Sequence, residues 1–486
     1  MILSRNTHRP TDRTRGTAPL GVIADDFTGA TDVAVALRRA GLRTLLFFGV
    51  PDRTGQETHE PDTSHLPGHE ALVVALKSRM APPADAVASS LGALDWLRGQ
   101  GAGQIYFKFC STFDSTPRGN IGPVLDRLAE ATGADTVPLT PSSPEHLRTQ
   151  YQGCLFVDDK LLGESHMRDH PVTPMTDSYL PRLLRAQTRE KVALIGLGTV
   201  REGGAAVREA LAAAGARGAR YVLADGIDES DLRTLGRAAL GSPLVAGAAS
   251  LAAGLAHAYA EERTGRTPRA GRDTTADERE AADASGPPGG PAAVLSGSCS
   301  HRTLEQLAVL ADAGRPGYRL DPVATPDAVA LAEAALAWYD TLPANGDAPV
   351  IYSSAAPETL RDTQRALGVE RSAALLEEAT GRIATGLVER GVRRLVAAGG
   401  ETSGAVVAAL GVTGAHVGAE AARGVPWIHP LGGHPLALLL KSGNFGDPGL
   451  LLDASASSAS SASSASSASS APSAPSASSA EPADRT

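Results

Sequence analysis

The sequence predicts an α/β protein of two domains. Each is a mostly parallel sheet flanked by helices, with the active site in the cleft between them. Three observations carry this. The chain has 486 residues, too many for one compact core. Short apolar runs alternate with Ala/Leu-rich helical patterns, as crossover connections between parallel strands require. Residues 264–291 then change character, holding Arg, Asp, Glu, Gly and Pro with almost no large apolar residue. Such a composition cannot form a core and reads as a flexible linker, a hinge that lets two domains close.

Residues 1–17 are polar and Arg-rich without an apolar h-region, so they read as a disordered extension rather than a secretory signal. Residues 18–263 form the first predicted domain. Leu20 to Ala24 reads as a buried strand, Thr28 to Thr31 as a capping segment, and Asp32 to about Ala40 as a helix. Further apolar runs follow at Leu42 to Val50, Ala71 to Leu76, Gln104 to Phe109, Lys191 to Leu197, Arg220 to Leu223 and Pro243 to Ala246. Ala84 to Arg98 and Ala205 to Ala214 read as helices, and Pro51 to Gly68 as a surface loop. Residues 292–452 form the second predicted domain. Its strands are Ala292 to Leu295, Val350 to Ser353 and Arg394 to Ala398; its helices are Thr303 to Ala313, Pro326 to Tyr339 and Arg371 to Glu389. Residues 453–486 repeat Ser and Ala, then add Pro, and read as a disordered tail.

Composition narrows the function. A net charge of −9 without a long basic block argues against a nucleic-acid binder. The cysteines Cys110, Cys154 and Cys299 lie far apart, so neither a disulfide framework nor a zinc ribbon is expected. A reducing cytoplasm is the simplest setting. No apolar run reaches membrane-spanning length.

The chemistry gathers at strand ends. Asp25 and Asp26 directly follow the first buried strand, where an open α/β sheet places its ligands. A carboxylate there can accept a proton from a substrate hydroxyl or hold a metal ion. Asp26 is the candidate base and Asp25 its substitute or a substrate ligand. A second strand leads into Lys108, Ser111, Thr112, Asp114, Ser115 and Thr116, a set of donors suited to a carboxylate and a polyol. In Ser165 to Asp177, Arg168 can grip a carboxylate bidentately and His170 can bond a hydroxyl or phosphate. In the second domain, Ser296 and Ser298, then Gly399, Gly400, Glu401 and Thr402, then Ser442 and Gly443 lie in small-residue turns. Free N–H groups at such turns favour phosphate. A helix is expected from about Ser403. No G-x-x-x-x-G-K-[ST] occurs, so this is not a P-loop NTPase.

These segments resemble a known family. Ile23-Ala-Asp-Asp-Phe-Thr-Gly-Ala-Thr-Asp32, Cys110-Ser-Thr-Phe-Asp-Ser-Thr116, Met167-Arg-Asp-His-Pro-Val-Thr-Pro-Met-Thr-Asp-Ser178, Gly297-Ser-Cys-Ser300, Ala398-Gly-Gly-Glu-Thr-Ser-Gly404 and Leu440-Lys-Ser-Gly-Asn-Phe-Gly446 are similar to motifs of the four-carbon acid sugar kinases. The resemblance covers roughly residues 20–450 and is nearest the 3-oxo-tetronate branch. It implies sugar acid bound by the first domain and ATP by the second. Mg²⁺ is expected on the phosphates, with Glu401 helping to place it; its other ligands stay open. A homodimer is compatible with this reading, and the partner expected is a small sugar acid rather than nucleic acid or membrane. Threonate and erythronate kinases are the nearest alternatives.

Two stretches depart from the family pattern. Thr140-Pro-Ser-Ser-Pro-Glu-His-Leu-Arg148 stands where Pro-Ala-Phe-Pro-x-x-Gly-Arg is expected, and Ala246-Gly-Ala-Ala-Ser-Leu251 where Gly-Gly-Ser-Gly-Leu is expected. They motivate a rival from another class, a sugar-acid or nucleotide sensor without turnover. A sugar-phosphate isomerase or aldolase ranks last. It needs a desolvated lysine, and Lys108 is the candidate without a clearly apolar setting.

Overall fold

The computed structural model describes residues 18–51, 69–170, 173–264, 289–344, 346–432 and 435–456. The expected extension 1–17, nearly all of the expected loop 51–68, most of the linker 264–291 and most of the tail lie outside them. Among the described residues no helix is long and apolar enough to cross a membrane.

The first half builds parallel strands in the spatial order Lys191–Ile195, Ala219–Ala224, Val137–Thr140, Leu244–Gly247, Gln104–Lys108, Leu20–Ala24, Ala71–Ala75 and Thr44–Phe48. Most read as near-continuous apolar runs because helices cover both faces of the sheet. Successive residues point to opposite faces, so Val22 and Ala24 join the core under the helix Phe27–Arg39. Ile23 joins the opposite core, with Leu94 and Leu97 of the helix Pro83–Gly99. The strand Val137–Thr140 escapes the sequence reading because it is short and contains Pro138. So does a small antiparallel sheet of Arg148–Tyr151, Cys154–Val157 and Lys160–Leu161.

The second half adds parallel strands Gly317–Arg319, Val350–Tyr352, Ala292–Ser296, Arg394–Ala398 and Ala437–Lys441, then the antiparallel pair Val425–Pro430 and Gly414–Ala422. The two sheets join edge to edge. Gly414–Ala422 runs antiparallel to Thr44–Phe48, with Gly414 opposite Phe47 and His416 opposite Leu45. The result is one 15-stranded sheet. One apolar core accordingly contains both Leu37 of the first half and Leu440 of the second.

Three expected boundaries shift. The first helix begins at Phe27, not near Asp32, because Asp26 caps it and accepts from the Gly29 N–H at 3.0 Å. The helix expected from Ser403 begins at Gly400. The expected tail start at 453 falls inside a helix, Leu450–Ser455, where Ala454 and Ser455 are buried and Arg394 Nη1 donates to the Ala456 carbonyl at 2.7 Å.

Removing residues 457–486 is therefore expected to leave the melting temperature unchanged. Removing 454–486 strips buried contacts and that bond, and is expected to lower it by roughly 2–4 °C or more. Thermal unfolding of the two truncations separates them; equal values contradict the boundary.

Candidate functional site

Asp25 and Asp26 end the first strand with their side chains against Arg79. Arg79 Nε donates to Asp25 Oδ2 at 3.0 Å, and Nη2 to Asp25 Oδ1 at 2.8 Å and to Asp26 Oδ1 at 2.6 Å. Arg79 follows the strand Ala71–Ala75 through a short loop. The Asp25 carbonyl accepts from the N–H groups of Ser78 and Arg79, at 3.0 and 3.1 Å. Asn120 completes the support: its Nδ2 donates to the carbonyls of Ser78, Arg79 and Ala81. Asn120 thus fixes the arginine loop rather than capping the helix Ile121–Thr132 with its side chain.

The two carboxylates differ. Burial pushes Asp25 above the usual carboxylate range, against the opposing pull of Arg79. Burial also raises Asp26, but Arg79, Lys108 and hydrogen bonds from Thr28 and Gly29 outweigh it, so Asp26 sits below that range. A Cβ on Gly29 would lie 2.3 Å from Asp26 Oδ1 and 2.8 Å from Lys108 Nζ, so glycine lets these two groups converge. Lys108 is only 3% exposed, a more desolvated setting than its sequence neighbours imply. Its Nζ also donates to the Phe109 carbonyl at 3.1 Å.

The loop after Lys108 reaches the same place. A small cleft is lined by Asp25, Arg79, Asp114, Ser115 and Asn120. Phe113 holds this loop in a left-handed turn (φ 56°), anchored by its fully buried ring against Phe109. Thr112 pairs with Cys110 Sγ and Ser115 Oγ accepts from Gln187, so these hydroxyls shape the loop; Ser111 is half-buried. Thr173 Oγ1 donates to Asp114 Oδ1 at 3.3 Å and meets His170 Nδ1 at 3.0 Å, which brings His170 to the cluster. Arg168 is exposed, and no hydrogen bond or ion pair ties its side chain to the cluster among the described residues.

In the second half the small-residue turns converge. Ser300 caps the helix His301–Asp312, and both Ser300 Oγ and Thr303 Oγ1 donate to the Gly443 carbonyl, at 2.6 and 2.9 Å. Thr303 Oγ1 also lies 3.1 Å from Ser298 Oγ. A Cβ on Gly297 would lie 2.5 Å from Thr402 Oγ1, and one on Gly443 2.6 Å from Ser298 Oγ. Gly399 takes φ 123°, and a Cβ there would come within 3.1 Å of the Ser298 N. A Cβ on Gly400 meets nothing within 4 Å. The conformational demand therefore falls on Gly399, while Gly400 keeps the space at the helix start open. Ser296 turns away to pair with Ser354 at 2.8 Å. Glu401 is exposed in the first helical turn, and Ser442 is half-buried beside Gly443.

Lys441 lies beneath these loops, fully buried, with Nζ donating to Thr303 Oγ1 and to the Gly443 carbonyl, both at 2.9 Å. Burial lowers it to about 7, with Arg302 adding to the effect.

The halves touch close to both sites. A Cβ on Gly404, in the helix Gly400–Ala409, would lie 2.5 Å from Lys77 Cε, two residues from Arg79. Phe445 stacks on His146 with ring centroids 4.4 Å apart.

A sugar-binding N-terminal domain model matches residues 20–255, and a nucleotide-binding C-terminal domain model matches residues 293–451. The chain is 46% identical over 432 residues to the 3-oxo-tetronate kinase of Cupriavidus necator, covering 88% of this chain and 94% of that one. The chain belongs to the four-carbon acid sugar kinase family. The 3-oxo-tetronate kinase of Salmonella typhimurium is 40% identical over 439 residues, 90% of this chain and 98% of that one. A crystal structure from Salmonella typhimurium LT2 superposes with a TM-score of 0.74 at 40% identity, covering 90% of this chain and 98% of that chain. The Haemophilus influenzae protein HI1011 gives 0.66 at 37% identity, covering 89% and 98%. This kinase is a phosphotransferase that acts on an alcohol group of a sugar acid.

The kinase's two departures from the family pattern meet in space. Ser143, where the pattern has Phe, lies 3.2 Å (Oγ to Oγ) from Ser250, where it has Gly. Leu147 takes φ 59°, the left-handed conformation for which the pattern supplies glycine.

Sequence reasoning passed over Arg79, Asn120 and Thr303, and took Lys441 only as the lysine of the third small-residue loop. The signal for Arg79 was present: Lys77-Ser78-Arg79 directly follows a buried strand, as Asp25-Asp26 does. Asn120 and Lys441 act through folding contacts that no local pattern announces.

Two outcomes follow for the nucleotide half. Gly400→Val is expected to weaken nucleotide binding with little change in melting temperature, whereas Gly399→Val is expected to destabilise the half itself. Calorimetric titration and thermal unfolding distinguish them, and equal behaviour contradicts the assignment. Lys441 supplies a pH signature. The unfolded lysine keeps its proton to about pH 10.5 and the folded one to about 7, so the unfolded chain binds more protons between them. Wild-type stability should accordingly rise from pH 7 to 9 relative to Lys441→Met, by at most about 1.4 kcal/mol per pH unit. Parallel stability profiles contradict this.

Proposed function

We propose that this kinase transfers the γ-phosphoryl group of ATP to the terminal 4-hydroxyl of 3-oxo-tetronate. The Asp25–Asp26–Arg79–Lys108 cluster in the sugar-binding half carries the proposal, together with relatives of that name along the whole folded chain. Asp26 is ionised at neutral pH and takes the hydroxyl proton as the new P–O bond forms. Asp25 and Arg79 hold it in place and, with Lys108, Asp114 and His170, frame the sugar acid. The turns at Ser298, Gly399 to Thr402 and Gly443 receive the nucleotide phosphates on N–H groups and hydroxyls. Mg²⁺ fits this donor set: it keeps several waters and needs only one or two carboxylates beside phosphate oxygens, and Glu401 offers one. It would supply neutralisation of the phosphate charge.

ADP release with ATP, Mg²⁺ and 3-oxo-tetronate tests this against threonate and erythronate. Fast turnover on one of those acids would reassign the substrate, and thermal stabilisation by ligand without ADP would favour the sensor. Asp26→Asn is expected to lower kcat by about 10²–10⁴-fold with KM little changed, because asparagine still caps the helix but cannot take the proton. Asp25→Asn is expected to raise KM at least as much as it lowers kcat, and to lower the melting temperature by leaving Arg79 half-paired. The reverse split would make Asp25 the base.

A further inference from the structure

A second cluster lies where the two halves meet. Asp32 sits on the helix Phe27–Arg39, past the capping Asp26, and Glu145 and His146 on the turn Pro144–His146. One ligand atom from each lies within 4.8 Å of the others. His146 Nε2 is 3.5 Å from Asp32 Oδ1 and 3.7 Å from Glu145 Oε1. Among the described residues neither Asp32 Oδ1 nor His146 Nε2, both buried, has a hydrogen-bond partner, and Asp32 is only 5% exposed. An orphaned buried polar atom is costly, so two facing each other indicate a shared partner. Their spacing is long for a hydrogen bond. It is close to the edge of about 3.3 Å expected for a tetrahedron with ligand bonds of about 2.0–2.1 Å.

The surroundings hold these ligand groups in place. Arg39 and Arg423 both hold Glu145 Oε2, at 3.0 and 3.1 Å, while Oε1 faces His146. Phe445 of the nucleotide half covers the imidazole ring. Gly424 (φ +75°) closes the other side: a Cβ there would lie 2.8 Å from Asp32 Oδ1 and 3.3 Å from His146 Cε1. One imidazole and two carboxylates suit a first-row transition cation; Mg²⁺ prefers oxygen ligands in an octahedron.

We propose that Asp32, Glu145 and His146 bind a divalent transition cation of the zinc class at the junction of the sugar-binding and nucleotide-binding halves. Three protein ligands leave a fourth position for water. The ion locks the turn Pro144–His146 to the helix that Asp26 caps, beneath the Phe445 loop. This site is separate from the nucleotide's Mg²⁺ and stands whichever sugar acid is the substrate.

The test uses the full chain without a purification tag, stripped by chelator and dialysed against Zn²⁺. Elemental analysis should find roughly one ion per chain, with a raised melting temperature. His146→Ala and Asp32→Asn should each weaken retention by more than about tenfold. Co²⁺ added to the stripped wild-type protein reads the site even where a variant fails to fold. It should give the visible absorption bands of a four-coordinate N/O site, removed by Zn²⁺ but not by excess Mg²⁺. Failure to retain Zn²⁺, retention unchanged in both folded variants, absence of the Co²⁺ bands, or their removal by Mg²⁺ would each overturn the proposal.

Discussion

Two adjacent carboxylates at the end of a buried strand repel each other and lose hydration, and Arg79 is what makes the arrangement tenable. Its guanidinium bonds both, in a plane matched to Asp25 and with one arm on Asp26. Removing either side of a buried ion pair leaves a charge uncompensated, so this contact constrains everything around it. Arg79 must leave its strand at a set angle, which the Asp25 carbonyl and Asn120 enforce. Gly29 must lack a side chain so that Lys108 can approach. The outcome is an asymmetric pair, with Asp25 pushed above the usual carboxylate range and Asp26 held below it, and the proposed division between positioning and proton transfer rests on that asymmetry.

The same helix connects this chemistry to the second half. Asp26 caps its start, Asp32 lies under Gly424 and close to His146, and Leu37 enters the core shared by both halves. Lys77, beside Arg79, lies against Gly404 in the helix that opens at the Gly399–Gly400 turn. The continuous sheet makes the pairing of halves part of the backbone itself, through Leu45, Leu46 and Phe47. Acceptor and nucleotide regions are thus linked through rigid elements, the condition for holding two reactants in line.

Much of this was legible in the sequence, for identifiable reasons. Parallel strands buried on both faces announce themselves as apolar runs, and the motifs at their ends stand out as abrupt polarity. Val137–Thr140 was hidden by Pro138, and the seam between the sheets by the absence of any local mark for edge pairing. The start of the first helix was misplaced because Asp26 does two things at once, capping and bonding Arg79. Arg79 itself was in view as a polar residue after a strand, but its partners lie 53 and 54 residues away and only folding brings them together. Lys441 and His146 are intelligible only through what buries them.

In the proposed mechanism Arg79 sets the proton affinity of the carboxylate that accepts the substrate's proton. The most direct measurement is the pH dependence of kcat/KM for the sugar acid in wild type and Arg79→Met. Loss of the guanidinium removes an interaction that lowers both carboxylates, so the acid limb should move to higher pH in a folded variant of reduced activity. An acid limb at the wild-type position, with turnover preserved, would contradict this role of Arg79.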